Sequence, residues 1–418
     1  MCLQHDVNKK KSYKTAILYL IAILFGIFSG LANIPLLENM GLLISDIFMK
    51  IFKCISLPII ALSIIVTLSN YSSKGGMHKL WQRAICYTIT TTIVAASVTC
   101  GLYLTIKPEN VNVLIDNTPT LETTSSYFNH LANLVPSNIF SPFLEHQVIG
   151  VLIIGLIIGI AIRYIKEEEP RNSISNFFKG THAIFLVITA WVVKIIPLGL
   201  YGFITATVVQ FKGGLGLKGI GKYLLIVIAA NIIQGFIILP LWLKTHKIKP
   251  FSMMKMMLPA LSLAFFSKSS TGTLPVTIET AEKNLNMDPK VSRFILPLCT
   301  TINMNGCAAF IFATVIYLMQ NHGILITPGT LFIWIFIATL AAIGNAGVPM
   351  GCFFLSASLL SGMNVPITLL GVILPFYSLI DMVETALNVW SDTCVAKVVD
   401  KKATEQVENL FQDEPIYT

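Results

Sequence analysis

The sequence has 418 residues, of which 54% are hydrophobic and only 12% are charged, and its formal net charge is +8. Soluble domains carry about 25% charged residues, so this composition argues against a soluble enzyme, a nucleic-acid-binding protein and a disordered scaffold. We therefore predict an all-α polytopic protein of the lipid bilayer, without a nucleic-acid partner, whose lysines lie mainly in cytoplasmic loops.

Six apolar runs are long enough to cross the bilayer, since a spanning helix needs about 20 apolar residues. They begin near Thr15, Leu42, Arg83, Val148, Ile184 and Tyr223. Basic residues precede the first run, separate the second from the third and the fourth from the fifth, and follow the sixth, whereas residues 107–147 carry four acidic residues and one lysine. This asymmetry predicts an outward loop at 107–147 and cytoplasmic termini. The expected location is a bacterial-type inner membrane. Lys212, Lys218 and Lys222, on the predicted outer side, are the exception.

Two later segments interrupt the hydrophobicity with small and polar residues. One is 267–275, after apolar residues 258–266, and the other is 344–351, between apolar residues 331–343 and 352–360. Backbone groups freed at membrane depth must be buried in protein or line a wet cavity, so each pattern predicts a re-entrant hairpin, at about 258–290 and about 331–362. The alternative is a loop outside the membrane between two ordinary spans.

Polar residues also form one stripe on the last long apolar helix. They fall within about 100° of its surface at about 100° per residue. The stripe consists of Asp381, Glu384, Thr385, Asn388 and Asp392. Ionisable residues at membrane depth mark a functional site by default, and these carboxylates need bound cations, protons or a substrate ammonium to compensate them. An amphipathic surface helix is the alternative.

A second polar cluster interrupts the apolar run 294–319. It contains Thr300, Thr301, Asn303, Asn305 and Gly306. The glycine and the asparagines predict an unwound or kinked helix that turns carbonyl oxygens toward a partner. Together with Asp392, such oxygens suit a hard cation such as sodium, and hydrogen bonding between helices is the alternative. The eight cysteines lack metal-ligand spacing and are predicted to be small buried hydrophobic residues.

At these residues the sequence resembles the dicarboxylate/amino acid:cation symporters, which include glutamate transporters. The resemblance rests on four motifs in the expected order, at 269–275, 301–306, 346–349 and 381–392, and on two further turns at 135–138 and 197–199. It implies eight transmembrane helices plus two re-entrant helical hairpins in an elevator-type homotrimer. Residues 1–14 and 403–418 would be cytoplasmic. Residues 15–402 would form one transporter domain, with spans one, two, four and five as scaffold and spans three, six, seven and eight with both hairpins as the transport unit.

The resemblance also implies the site residues. Candidate substrate-binding residues are Lys268, Ser269, Ser270, Cys307, Val348, Asp381, Glu384, Thr385 and Asn388. Asp381 would hold the ammonium of an amino acid, Asn388 its α-carboxylate and Thr385 its side chain. One sodium ion would lie at Asn303, Asn388 and Asp392, and another at Thr301, Met304 and the carbonyls of Ile343 and Asn345, with Cys299 counted among the metal positions. No cofactor is expected, and sodium, protons or both would drive transport.

Three departures from the family pattern bear on the substrate and the ions. Glu384 stands where acidic-amino-acid members carry arginine, and two like charges 4 Å apart repel by about 4 kcal/mol at an effective ε of about 20. Cys307 replaces a threonine. Asn305 replaces an aspartate that completes a further sodium site with hydroxyls of span three, here assigned to Tyr87, Thr91 and Thr92, so fewer bound sodium ions are predicted.

The leading hypothesis is a symporter of an amino acid with a neutral or cationic side chain, and not an enzyme. Glu384 could pair with a cationic side chain, bind the coupling proton beside a neutral substrate, or form a salt bridge to Lys268. An acidic-amino-acid or dicarboxylate symporter that uses Lys268 is the first alternative. A membrane-embedded hydrolase with Ser269 or Ser270 as nucleophile and Lys268 as base is a remote one, and a channel is a third.

Overall fold

A computed structural model describes residues 18, 20–69, 77–111, 138–144, 148–212, 218–345, 347 and 350–412. Every regular element in these residues is a helix. The first part of the chain forms α1 (Leu20–Leu31), α2 (Pro35–Ser69), α3 (Met77–Ile106), the short α4 (Ser141–Leu144), α5 (Val148–Tyr164) and α6 (Glu168–Lys212). The second part forms α7 (Lys218–Ile233), a π-helical turn (Gln234–Ile238), α8 (Leu239–Thr245), α9 (Pro250–Ser267), α10 (Ser270–Leu285), α11 (Pro289–Ile302), α12 (Asn305–Asn321), α13 (Pro328–Ile343), α14 (Gly351–Gly362) and α15 (Thr368–Gln412).

Four stretches of the described residues are long and apolar enough to cross a membrane. They are Leu80–Ile106, Gly219–Thr245, Pro289–Asn321 and Leu369–Ala403. The pair Glu168–Thr189 and Lys194–Ala206, bent by 53°, adds a fifth if it is one span, and Pro197 explains the bend because its ring clashes with the preceding helical turn. The other predicted spans fall on the shorter apolar helices Leu20–Leu31, Leu57–Val66 and Ile153–Tyr164. The all-helical architecture is confirmed, and the count of eight spans stays a prediction.

The outer surface of α1 is apolar. Leu24, Phe28 and Leu31 are each more than half exposed, a pattern that lipid contact explains and that water does not. On the predicted outer side, Lys222 pairs with Glu109 at 2.5 Å. This ion pair neutralises one of the three lysines that depart from the charge asymmetry.

The core lies around α12, whose residues from Asn305 to Met319 are all buried. This helix packs against α3, α7, α13, α14 and α15, whereas α2 packs mainly against α5 and α6. The division into a transport unit and a scaffold stays a prediction.

Helix starts follow local sequence signals. Proline occupies the first turn of α9, α11 and α13, where its missing N–H costs nothing. The side chains of Asp288 and Thr327 cap α11 and α13 by accepting from Lys290 N at 2.8 Å and Thr330 N at 3.1 Å.

Two helical hairpins meet at their tips. In the first, α9 is followed by Lys268, which has the left-handed φ of 55°, and Ser269 then caps α10 by accepting from Gly272 N at 3.0 Å. In the second, Gly347 has a φ of 64° in the turn between α13 and α14, a conformation that favours glycine. The hydroxyl of Ser269 donates to the carbonyl of Gly347 at 3.3 Å. The tips therefore contact each other directly.

Candidate functional site

The polar stripe of α15 is buried along its whole length. The exposed fraction is 5% or less for Asp381, Glu384, Thr385, Asn388 and Asp392. The alternative interpretation, in which this segment is an amphipathic helix with the stripe in water, is therefore wrong. The stripe faces the break between α11 and α12 and the first turn of α14.

Asp381 lies at the start of this stripe. Its Oδ2 accepts from the backbone N–H of Met350 at 3.1 Å, so the carboxylate holds the turn that leads into α14. The Tyr377 hydroxyl donates to Asp381 Oδ1 at 3.5 Å, and it lies 3.4 Å from Glu384 Oε2. One tyrosine therefore bridges two buried acids.

Glu384 is the least compensated of the three acids. It is 1% exposed, and its Oε1 has no hydrogen-bond partner among the described residues. Gly306 makes room for it, since a Cβ at residue 306 would lie 2.8 Å from Glu384 Cα. A buried, unsatisfied carboxylate oxygen is costly, so this oxygen is available to a bound ligand.

Lys268 lies at the tip of the first hairpin. Its ammonium donates to the hydroxyl of Ser378 at 2.6 Å, which ties the tip to α15 one turn before Asp381. The salt bridge from Lys268 to Glu384 that the sequence left open is not formed within the described part of the chain.

The serines of the same tip are placed differently. Ser269 caps α10 and bonds Gly347, whereas Ser270 is 2% exposed. Since Ser269 is engaged as a cap and Lys268 contacts Ser378, the structure shows no Ser/Lys dyad at these residues. Val348, which was predicted to contact substrate, lies outside the described residues.

Asp392 lies in a second polar cluster at the break between α11 and α12. Asn303 Nδ2 donates to Asp392 Oδ1 at 3.1 Å and Thr300 Oγ1 donates to Asp392 Oδ2 at 3.3 Å. The third predicted member, Asn388, instead accepts from Gly306 N at 2.9 Å. The structure thus brings Asn303 and Asp392 into direct contact, whereas Asn388 contacts the nearby backbone of Gly306. The carbonyl of Cys299 accepts from Asn303 N at 2.8 Å, which joins it to the cluster through the backbone.

Ser391 belongs to this cluster and was missed by the sequence analysis. Its hydroxyl accepts from Asn303 Nδ2 at 2.9 Å and from Asn305 Nδ2 at closer range. At about 100° per residue Ser391 falls about 80° from Asp381, at the edge of the stripe. This position beside the polar stripe is the sequence feature that indicates Ser391 as a member of the cluster.

Asn305 and α3 meet at Asn303. Thr91 Oγ1 donates to Asn303 Oδ1 at 3.1 Å, and Asn305 Nδ2 lies 3.4 Å from the same oxygen. Thr92 bonds its own helix at Thr88. The hydroxyl of Tyr87 accepts from Lys402 Nζ at 2.5 Å, so Tyr87 does not join Asn305.

The second predicted sodium set is assembled in part. Asn345 Nδ2 lies 3.7 Å from Met304 Sδ and 2.9 Å from Cys307 Sγ. Ile343 is the last residue of α13, two residues before Asn345. Thr301 Oγ1 donates to Leu298 O at 2.8 Å within its own helix. The structure therefore joins Met304 to Asn345 and gives the Thr301 hydroxyl a local partner.

The cysteines correct one prediction. Cys307 and Cys352 are joined as a disulfide between α12 and α14, so they are not simply small buried residues, and Cys54 and Cys86 are exposed. Cys100, Cys299 and Cys394 are free and buried as predicted. No motif indicated the pairing, because 45 residues separate the two cysteines.

Several known proteins are similar in sequence to this chain. A sequence model of the sodium:dicarboxylate symporter family matches residues 16–402. The human neutral amino acid transporter B(0) is 25% identical over 386 residues, which cover 83% of this chain and 71% of the relative. The human neutral amino acid transporter A is 25% identical over 411 residues, with coverage of 87% and 76%. The mouse excitatory amino acid transporter 2 is 26% identical over 423 residues, with coverage of 87% and 74%.

The family match confirms the resemblance inferred from the four motifs. The family match includes both hairpins, the break between α11 and α12 and the stripe of α15. It also excludes the hydrolase alternative, because the family and the relatives are transporters. Because the match spans nearly the whole chain, the protein belongs to the sodium:dicarboxylate symporter family, whose members are integral membrane transporters.

Proposed function

We propose that this protein is a sodium-coupled symporter of an amino acid whose side chain is neutral and polar or positively charged. The observation that carries the proposal is Glu384, a buried carboxylate whose Oε1 has no partner among the described residues. An amide, hydroxyl or ammonium of the substrate side chain would supply the missing donor.

A second substrate carboxylate fits this site poorly. Asp381 and Glu384 already share the Tyr377 hydroxyl. The ammonium of Lys268 donates to Ser378 and lies close enough to Asp381 to interact with its charge, so this cation already faces acids of the protein. A glutamate or aspartate substrate would add a third carboxylate. The α-ammonium of any amino acid, by contrast, compensates Asp381.

Sodium binding is supported by the cluster around Asp392. Its carboxylate and the side-chain oxygen of Asn303 are hard ligands, and both are buried at the break between α11 and α12. A second ion at Thr301, Met304 and the carbonyls of Ile343 and Asn345 is carried over from the family resemblance, and the side chains of Met304 and Asn345 are in contact there. The amide of Asn305 donates to Ser391. An aspartate at this position would add a negative charge for a further sodium ion. The proposal therefore includes fewer bound sodium ions than the most strongly coupled relatives hold.

The remaining parts of the proposal concern movement and assembly. The second hairpin would act as the outer gate, since its turn is held by Asp381 through Met350 N and by Ser269 through Gly347. A substrate ammonium at Asp381 would compete for the first of these contacts. The elevator movement, the homotrimer and the cytoplasmic termini follow from the family resemblance.

Uptake into proteoliposomes tests the proposal. Purified protein is reconstituted, an inward sodium gradient is imposed, and accumulation of labelled serine, arginine and glutamate is compared with that in the absence of sodium. Sodium-dependent accumulation of serine or arginine above glutamate is expected. Accumulation of glutamate alone would contradict the proposal and would assign the acidic-substrate role to Lys268.

A further inference from the structure

Two cysteines and one acid converge between α12 and α14. The sulfur atoms of Cys307 and Cys352 and a carboxylate oxygen of Glu384 all lie within 4.8 Å of one another. Each of the three residues is 1% exposed. The function proposed above uses Glu384 and assigns no part to the paired sulfurs.

The amide of Asn345 completes the surroundings of this trio. Its Nδ2 lies 2.9 Å from Cys307 Sγ, and its Oδ1 faces Gly351, the neighbour of Cys352, so closely that no Cβ fits there. Neither Asn345 Oδ1 nor Glu384 Oε1 has a hydrogen-bond partner among the described residues. Two buried oxygens without hydrogen-bond partners and two sulfurs together offer four ligand atoms to a cation.

We propose that the reduced protein binds one soft divalent cation, Zn²⁺ or its analogue Cd²⁺, through the sulfurs of Cys307 and Cys352, Glu384 Oε1 and Asn345 Oδ1. Thiolates select such ions over sodium or calcium. In a tetrahedral zinc site with Zn–S distances of about 2.3 Å, two sulfurs lie about 3.8 Å apart. Reduction frees the bonded sulfurs to separate to this distance, and a carboxylate oxygen of Glu384 already lies within 4.8 Å of both.

Reduction prepares the site. A dithiol reductant gives two electrons and two protons to the Cys307–Cys352 bond, becomes a cyclic disulfide and leaves two thiols. The divalent cation then binds both sulfurs and releases their two protons to solvent. The bound cation takes the place of the disulfide as the link between α12 and α14. If the proposed function is correct, a bound cation also removes Glu384 from the substrate. The binding itself does not depend on that function.

Titration with Cd²⁺ tests the inference without any transport assay. The full-length protein is reduced in detergent with a dithiol, freed of reductant by anaerobic gel filtration, and titrated with Cd²⁺ while the thiolate-to-cadmium charge-transfer absorption is recorded. One Cd²⁺ per chain is expected. Cys307→Ser and Cys352→Ser should each weaken binding at least 100-fold, Glu384→Gln at least tenfold, and the oxidised protein should not bind. Cys100→Ser, a matched change at a buried free cysteine, should bind as the parent does.

Three results would overturn the inference. They are unchanged affinity in either serine variant of the pair, equally tight binding by the oxidised protein, and loss of binding in Cys100→Ser. Gel-filtration profiles and thermal unfolding without metal show whether each variant is folded. An unfolded Cys307→Ser is replaced by Cys307→Ala, for which the same loss of binding is expected.

Discussion

Replacing Glu384 by glutamine removes a buried negative charge while keeping the shape of the side chain. The Tyr377 hydroxyl can still donate to Asp381, and the amide N–H of the new glutamine can donate to the phenol oxygen, so the tyrosine bridge is preserved. The variant should transport serine with little change. Its uptake of glutamate relative to serine should rise, because the repulsion against a second substrate carboxylate is removed.

The size of this effect follows from the geometry. Since Tyr377 Oη lies 3.5 Å from Asp381 Oδ1 and 3.4 Å from Glu384 Oε2, a substrate held at Asp381 by its ammonium has its side chain close to Glu384. Like charges about 7 Å apart repel by ~2 kcal/mol at an effective ε of about 20, and charges about 4 Å apart by ~4 kcal/mol. At 1.36 kcal/mol per factor of ten, the preference for glutamate should rise by roughly 30- to 900-fold.

The assay compares kcat/KM for glutamate and serine in proteoliposomes made from the parent and the variant. Glu279→Gln is the matched control, because Glu279 lies on the exposed side of α10 and pairs with Lys283 at 2.7 Å. The control should leave the ratio unchanged. An unchanged ratio in Glu384→Gln would refute the reasoning, since it would mean that Glu384 carries no charge or does not face the substrate.

Three further changes test the ion sites and the packing. Asp392→Asn removes a full charge from the proposed sodium cluster, so the sodium concentration for half-maximal uptake should rise at least tenfold, while Asp46→Asn on the exposed side of α2 leaves it unchanged. Asn305→Asp should raise the sodium-to-substrate ratio obtained from reversal potentials, and a constant ratio would contradict the proposed role of this position. Gly306→Ala puts a Cβ 2.8 Å from a Cα of α15 and should cost about 1–3 kcal/mol, seen as a lower Tm. Gly101→Ala, with open space around it, should not lower the Tm.

The sequence predicts well what depends on one helix. The period of the α-helix places Asp381, Glu384, Thr385, Asn388 and Asp392 on one face, and the cost of ionisable groups in lipid predicts that the face is buried. The structure shows both. Contacts between distant segments are different, because the partner of Asp392 lies 89 residues earlier at Asn303 and only the fold brings them together.

Tyr87 shows where helix periodicity is insufficient. Tyr87 and Thr91 are four residues apart and share a face of α3, and the family resemblance implied that both would join Asn305. Long helical side chains lean toward the N-terminus of their helix, and the Tyr87 hydroxyl accordingly contacts Lys402 while Thr91 contacts Asn303. A short and a long side chain on one face therefore reach different depths.

The Cys307–Cys352 pair could not be predicted from spacing. Each cysteine lies in an apolar helix, and the pairing depends on how the first turn of α14 packs against α12. The same packing brings Asn345 against Cys307. The sequence marks the tip of the second hairpin by its glycines and proline, and the residues that the tip contacts follow only from the fold.

Thermal stabilisation of the purified protein tests most directly the claim that Glu384 favours a substrate without a side-chain carboxylate. Ligands that bind only the folded state raise the Tm, and at a fixed concentration the rise is larger for the ligand with the lower Kd, so each standard amino acid is compared at one concentration with and without sodium. A neutral polar or cationic amino acid should give the largest rise in Tm, and only with sodium present. The largest rise with glutamate or aspartate would contradict the account.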